Sequence, residues 1–406
     1  MGGQRNIEAR GGTLCGIAYG MTRRDLLESG ALASATLMGA RAAPRRLRIG
    51  IVGGNFGRTF QWHLHPDCTV TAVCDIDRET LDRLGTTYRC ANRFTTFAEM
   101  LKFRDLDAVG VFTPLPLHVW MATTALEAGK HVISAVPAGL SLEELERLLD
   151  TVKRTGLRYM MAETSYYRPE VITCREWARE GRFGTISYSE AEYHHEGVLQ
   201  LMFDSRGLPT WRHGLPPLQY PTHCTGIVVP VTGERLTEVT AVGWGDGHEV
   251  LRSNLYKNPF WSGNAFFKTS GGHCTRVSVS WHIAAPVVER GQFFGERMSY
   301  FMERPQQSPD TVVRLVPGAQ TRIAVEAYQQ PNHWERLPEP LRVPSGHGGS
   351  HTFLTHEFVR AIVEDRHPAV NVWEAIAYTA PGIVAHESAL RGGEAMKIRD
   401  YGKAPA

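Results

Sequence analysis

Residues 47–75 constrain this chain more than any other segment. LRIGIV (47–52) is an apolar run of strand length, Gly53-Gly54-Asn55-Phe56-Gly57 is a glycine-rich turn, a helix-compatible segment follows, and TVTAVC (69–74) is a second apolar run ending at Asp75. Strand, glycine turn, helix, strand and acid, in that order, open a dinucleotide-binding α/β domain. Glycines let backbone N–H groups approach a pyrophosphate, the helix start offers a positive dipole end, and an acid about 20 residues on accepts hydrogen bonds from a ribose. Gly53, Gly54 and Gly57 fall at relative positions one, two and five, whereas the usual fingerprint has glycines at one, three and six. Alone, the cluster also reads as a tight strand-to-helix turn.

A chain of 406 residues with 42% apolar content can bury two cores. Its 44 basic residues nearly balance 42 acidic ones, for a net charge of +2. That leaves no broad electrostatic footprint for nucleic acid and points to a small-molecule partner. No uninterrupted apolar stretch has the length of a membrane span. The seven cysteines are scattered without a C-x-x-C pair, so they read as mostly buried thiols rather than as disulfides or zinc ligands.

Residues 1–43 read as a leader. Arg23-Arg24 precede a weakly apolar, small-residue segment (28–40), and Ala40-Arg41-Ala42 supplies an A-x-A cleavage pattern. This resembles a twin-arginine export leader, with Met21 as an alternative start and a periplasmic or otherwise exported destination. An amphipathic helix with a chance arginine pair, on a cytoplasmic protein, is the other reading.

Beyond Asp75, residues 78–88, 95–101, 118–128 and 141–155 have helical patterns, the last with Ser141 as cap and Glu144 at the capping-box position. Apolar strands are expected at 108–112, 131–135 and 157–162. Strands alternating with helices imply a doubly wound parallel sheet over residues 44–165, a Rossmann domain. From residue 185 the texture changes to alternating strands at 185–193, 236–242, 265–269, 276–281, 298–302 and 311–315, then helices at 353–364 and 372–388. Residues 166–406 are therefore expected to form an α+β domain with a large, mostly antiparallel sheet.

Thr113-Pro114-Leu115-Pro116-Leu117-His118 and Ala128-Gly129-Lys130-His131-Val132 resemble the T-P-x-x-x-H and A-G-K-H-V motifs of the Gfo/Idh/MocA oxidoreductases, over roughly 45–388. That resemblance implies NAD or NADP in a Rossmann domain and a sugar or cyclitol against the second domain. Where the family usually has E-K-P, with a lysine at the substrate, this chain has Ala135-Val136-Pro137, whose proline keeps a turn commonly cis in the family. A valine there resembles the branch of NAD-dependent retaining glycosidases typified by α-N-acetylgalactosaminidase. Glu163-Thr164-Ser165-Tyr166-Tyr167, Trp211-Arg212, Tyr220-Pro221-Thr222-His223 and Gly346-His347-Gly348-Gly349 are similar to that branch's E-N-x-x-Y, W-R, Y-P-T-H and G-H-G-G. Ala135 and Cys224 depart from its usual Glu and Gly.

The expected cofactor contacts are Gly53, Gly54, Asn55, Phe56, Gly57 and Asp75, joined by Thr113, Pro114, His118, Ala135 and Pro137. Asp75 favours NAD, because its charge repels the 2′-phosphate of NADP. Oxidising a secondary alcohol needs a base; His223 is the first candidate and Tyr167 the second. Tyr193 and His194 at a strand end, Trp211, Arg212 and Tyr220 are the expected substrate contacts. Neighbours on a strand point apart, so His194 and His195 make a poor metal pair, and no metal is expected. Three readings stand: an NAD-dependent oxidoreductase acting on a ring hydroxyl of a sugar, an NAD-dependent glycosidase, and a non-catalytic sugar-binding protein on the same scaffold. A homo-oligomer is left open.

Overall fold

The computed structural model describes residues 46–405 apart from 246, 285, 317 and 319–322. The expected leader lies outside the described residues. The first sheet is parallel throughout, with strands β1 (Leu47–Val52), β2 (Cys68–Cys74), β3 (Arg93–Phe94), β4 (Ala108–Val111), β5 (His131–Ser134) and β6 (Tyr159–Met161). Their order is β3-β2-β1-β4-β5-β6. The central strands are buried on both faces, which is why they read as continuous apolar runs. Ser141 accepts a hydrogen bond from the Glu144 N–H at 3.2 Å to start the helix Leu142–Thr155, and Glu144 reaches back to the Leu140 N–H.

One element is shorter than expected. The helix after the glycine turn is a single turn, Gly54–Gly57, followed by the 3₁₀ turn Trp62–Leu64. Its sequence is too aromatic to run as a surface helix: Phe60 stacks on Phe112 and on His351, each with ring centroids 4.5 Å apart, and Trp62 is fully buried. The segment is thus a wedge between the sheet and the helix Gly346–Val363.

The second sheet has nine strands: β7 (Ile186–His194), β8 (Leu236–Trp244), β9 (Ser262–Thr269), β10 (Cys274–Ser280), β11 (Val288–Gly295), β12 (Met298–Phe301), β13 (Thr311–Leu315), β14 (Ile323–Ala327) and β15 (Met396–Lys397). The order is β14-β13-β12-β11-β7-β10-β9-β8-β15, antiparallel except between β7 and β10. The buried helices Thr222–Thr232 and Val372–Leu390 pack on this sheet and tie it to the first one, so a single apolar core runs from Val132 and Leu148 to Val277 and Trp281. From Arg46 onward the chain is one compact unit. Among the described residues no helix is long and apolar enough to cross a membrane, and of six free cysteines five are buried.

Candidate active site

A cleft of about 450 Å³ opens at the carboxyl ends of the first sheet's strands. Gly53, Gly54, Asn55 and Phe56 line it after β1, Asp75 after β2, Thr113 and Pro114 after β4, and Ala135 and Val136 after β5. Because β1 and β4 are neighbours at the point where strand order reverses, this is the switch point at which open α/β sheets bind ligands. The facing wall is built from Tyr193 at the end of β7, Trp211, Arg212, Tyr220, His223 and His347.

Gly53 has a φ of +91°, and a Cβ there would lie 2.3 Å from the Phe112 carbonyl oxygen, so only glycine lets β1 turn across the end of β4. Gly57 does not line the cleft; a Cβ on it would strike Ile51, and its role is close packing against β1. Asp75, expected to meet the cofactor's ribose, also accepts hydrogen bonds from the Gly54 N–H at 2.7 Å and the Asp77 N–H at 2.9 Å, so its carboxylate braces the glycine turn. The His118 ring nitrogens lie 2.9 and 2.8 Å from the carbonyl oxygens of Pro137 and Thr113, joining the loops after β4 and β5. Pro137 itself stays off the cleft surface, behind a cis Val136–Pro137 bond.

His223 is the chemical centre. It sits in the first turn of the helix Thr222–Thr232, buried, with Nδ1 3.1 Å from Glu163 Oε1, 3.9 Å from Glu289 Oε1 and 3.3 Å from Ser165 Oγ. Ser165 donates to Glu289 Oε2 at 3.2 Å and, through its backbone N–H, to Glu163 Oε1 at 2.9 Å. Burial alone would push the His223 pKa down, but the carboxylates of Glu163 and Glu289 outweigh it and raise the value from 6.5 to about 9. Glu289 is held below the usual carboxylate range despite burial, by His223 and Arg168. With Nδ1 turned to the carboxylates, Nε2 makes no hydrogen bond to any described residue and is the edge left for a ligand.

Two phenols flank this imidazole: the ring centroids of Tyr193 and Tyr220 lie 4.6 and 5.6 Å from that of His223. Burial pushes both hydroxyls up, Tyr220 to about 12, so they are neutral donors at physiological pH. The Arg212 guanidinium stacks over Trp211 at 4.1 Å and makes no hydrogen bond to a described residue, so its fork is free for a ligand while the Trp211 face is already covered.

Besides Gly57 and Pro137, two further expected site residues are corrected. Tyr167 does not reach the cleft: it lies on the far side of the 3₁₀ turn Ser165–Tyr167, stacked on Phe353 at 5.8 Å. Ser165 takes the His223 side of that turn instead. His194 points to the opposite face of β7 from Tyr193, with Nε2 3.4 Å from Ser278 Oγ, because successive strand residues alternate. Glu163, Ser165, Glu289 and His347 were missed as site residues.

Residues 47–163 match the oxidoreductase family with an NAD-binding Rossmann fold, and residues 319–405 match the glycosyl hydrolase 109 C-terminal domain. A glycosyl hydrolase family 109 protein from Shewanella sp. (strain MR-4) is 30% identical over 399 residues, covering 87% of this chain and 85% of its own. The chain belongs to glycosyl hydrolase family 109. Another family-109 relative, from Solibacter usitatus, is 23% identical over 94% of this chain and 97% of its own. The fold is shared with levoglucosan dehydrogenase in complex with NADH, at a TM-score of 0.74 and 18% identity, over 88% of this chain and 100% of that one.

This family-109 chain therefore carries an NAD-binding Rossmann domain, and its cleft fits the cofactor. The turn from Gly53 to Phe56, which glycine alone allows at 53, and the Asp75 carboxylate line the cleft at the switch point, where a pyrophosphate and a ribose would lie. Asp75→Ala is expected to weaken NAD binding by about 1 to 3 kcal/mol and to narrow the gap to NADP, since ribose hydroxyls lose a charged acceptor. Calorimetric titration with both dinucleotides measures this; unchanged NAD affinity would confine Asp75 to shaping the turn.

Proposed function

We propose that this protein is an NAD-dependent glycosidase whose redox chemistry begins and ends within one turnover. The observation that carries the reading is His223: a buried imidazole whose Nδ1 is anchored on Glu163 and whose free Nε2 lies on the wall facing the dinucleotide turn. NAD, when bound, supplies a hydride acceptor and returns the hydride later.

The C3 hydroxyl of the sugar gives its proton to His223 Nε2 as hydride leaves C3. Tyr193 and Tyr220, neutral and adjacent, hydrogen-bond the oxygen as it becomes a carbonyl. That carbonyl acidifies the C2 proton; solvent takes it, the C2–H electron pair forms a C1–C2 double bond, the C1–oxygen bond breaks, and the departing aglycone takes up a proton. His223, now an imidazolium stabilised by two carboxylates, is the proton source. Water adds at C1 and gives a proton to His223, solvent returns a proton to C2, and as hydride returns to C3 His223 protonates the C3 oxygen, so the sugar leaves hydrolysed but not oxidised. Arg212 holds a ring substituent in place.

Protein purified without added dinucleotide should contain NAD by mass analysis and release aglycone from an aryl glycoside without exogenous NAD. A net dehydrogenase would need added NAD and would accumulate NADH. Export through the twin-arginine route, before which a folded protein can load its dinucleotide, belongs to the same reading and is supported by Arg23-Arg24 and Ala40-Arg41-Ala42. Fractionation of the Arg23→Lys, Arg24→Lys double variant should find it unprocessed inside the cell; normal processing and export would contradict the assignment.

A further inference from the structure

Arg175, on the helix Pro169–Arg179, is only 7% exposed, yet it makes no ion pair or hydrogen bond to any described residue, and its Nε is shut off without a partner. Its guanidinium lies 3.6 Å from the centre of the Tyr166 ring and 5.7 Å from that of Tyr167, so the contacts shown for its charge are aromatic faces alone. A buried guanidinium held only by ring faces, with no carboxylate or carbonyl, is incompletely compensated, because the attraction of π faces is smaller than the loss of hydration.

Arg175 forms the floor of a pocket of about 300 Å³, separate in its lining from the catalytic cleft. Arg179, one helical turn on and exposed, stands at the mouth and also has no ion-pair partner among the described residues. The two carboxylates on the pocket are already taken: Glu176 pairs with Arg336, and Glu357 accepts from both Arg366 nitrogens at 2.7 and 2.9 Å. Two unpaired positive charges therefore face a space whose other wall is apolar, from Phe353 and Leu337.

We propose that this pocket is a second ligand site, which binds a dianion, either a phosphate group or a dicarboxylate. The Arg175 fork takes two oxygens of the anion side by side, and Arg179 closes over it from the mouth. The apolar wall accepts a small organic part.

The test is calorimetric titration of the NAD-saturated protein, so that the glycine turn is already filled, with inorganic phosphate and, separately, with succinate, at an ionic strength fixed with sodium chloride. Saturable binding of one of the two is expected, and which one binds identifies the source of the charge. Arg179→Met should weaken it about tenfold or more, and Arg175→Met should abolish it, as each removes a charge-assisted pair. NAD affinity should be unchanged in both variants. Arg179 is exposed, so its variant carries the test should Arg175→Met fail to fold. Absence of saturable binding of either anion, or variants that bind as well as the parent, would overturn the proposal.

Discussion

Replacing His223 with Asn is expected to lower turnover about 100- to 10,000-fold, the range for losing a positioned general acid and base. Asparagine keeps a polar side chain of similar reach, but it cannot take a proton from the C3 hydroxyl or return one to a leaving group. Dinucleotide binding should change little, because His223 stands on the wall opposite the Gly53–Gly57 turn. Steady-state rates on an aryl glycoside, with thermal denaturation as the check on folding, measure the effect. A folded variant that retains more than about a tenth of parental turnover would take the proton-transfer role away from His223, and Tyr193 or Tyr220 would inherit it.

Glu163→Gln should move the pH dependence as well as the rate. In the empty cleft the two carboxylates raise His223 to about 9, so kcat/KM, which follows the free enzyme, should climb with pH toward that value as Nε2 loses its proton. Removing the Glu163 charge takes away the largest raising influence and leaves burial and Arg168 pulling the other way. The ascending limb should therefore shift to lower pH, and the rate at its plateau should fall about tenfold or more as the ring loses its anchor. Stability moves with the opposite sign. The imidazolium's contribution is complete below 6.5, the ordinary histidine value, and disappears as pH rises through about 9. The parent should thus lose this increment on going from neutral to alkaline pH, while Glu163→Gln should retain only the part that Glu289 supplies. A pH profile superimposable on the parent's would reduce Glu163 to packing.

The first sheet was legible because parallel strands buried on both faces write themselves as apolar runs: residues 108–112 and 131–135 were expected, and β4 and β5 occupy Ala108–Val111 and His131–Ser134. β11 was not legible. Its sequence VERGQFFG carries two adjacent charges, Glu289 beside His223 and Arg290 paired with Glu192, and a glycine that lets Ile227 of the helix Thr222–Thr232 pack close. The glycine turn, Asp75, Thr113 and His223 could be located because each belongs to a local motif. The partnership of Glu163, Ser165 and Glu289 could not, since it joins residues 60 and 124 positions apart through tertiary packing alone. Tyr167 illustrates the same limit at short range: within three residues of a 3₁₀ turn, Ser165 faces the imidazole and Tyr167 faces away, and no periodicity in the sequence tells which.

The central claim, that oxidation at C3 serves cleavage at C1, is tested most directly by turnover of an aryl glycoside in deuterium oxide with the sugar product examined by mass spectrometry and proton NMR. The account predicts an unoxidised sugar carrying solvent deuterium at C2, aglycone released in equal amount, and no NADH accumulating beyond the enzyme itself. An oxidised sugar formed together with an equal amount of NADH, or a hydrolysed sugar with its C2 hydrogen retained, would contradict it.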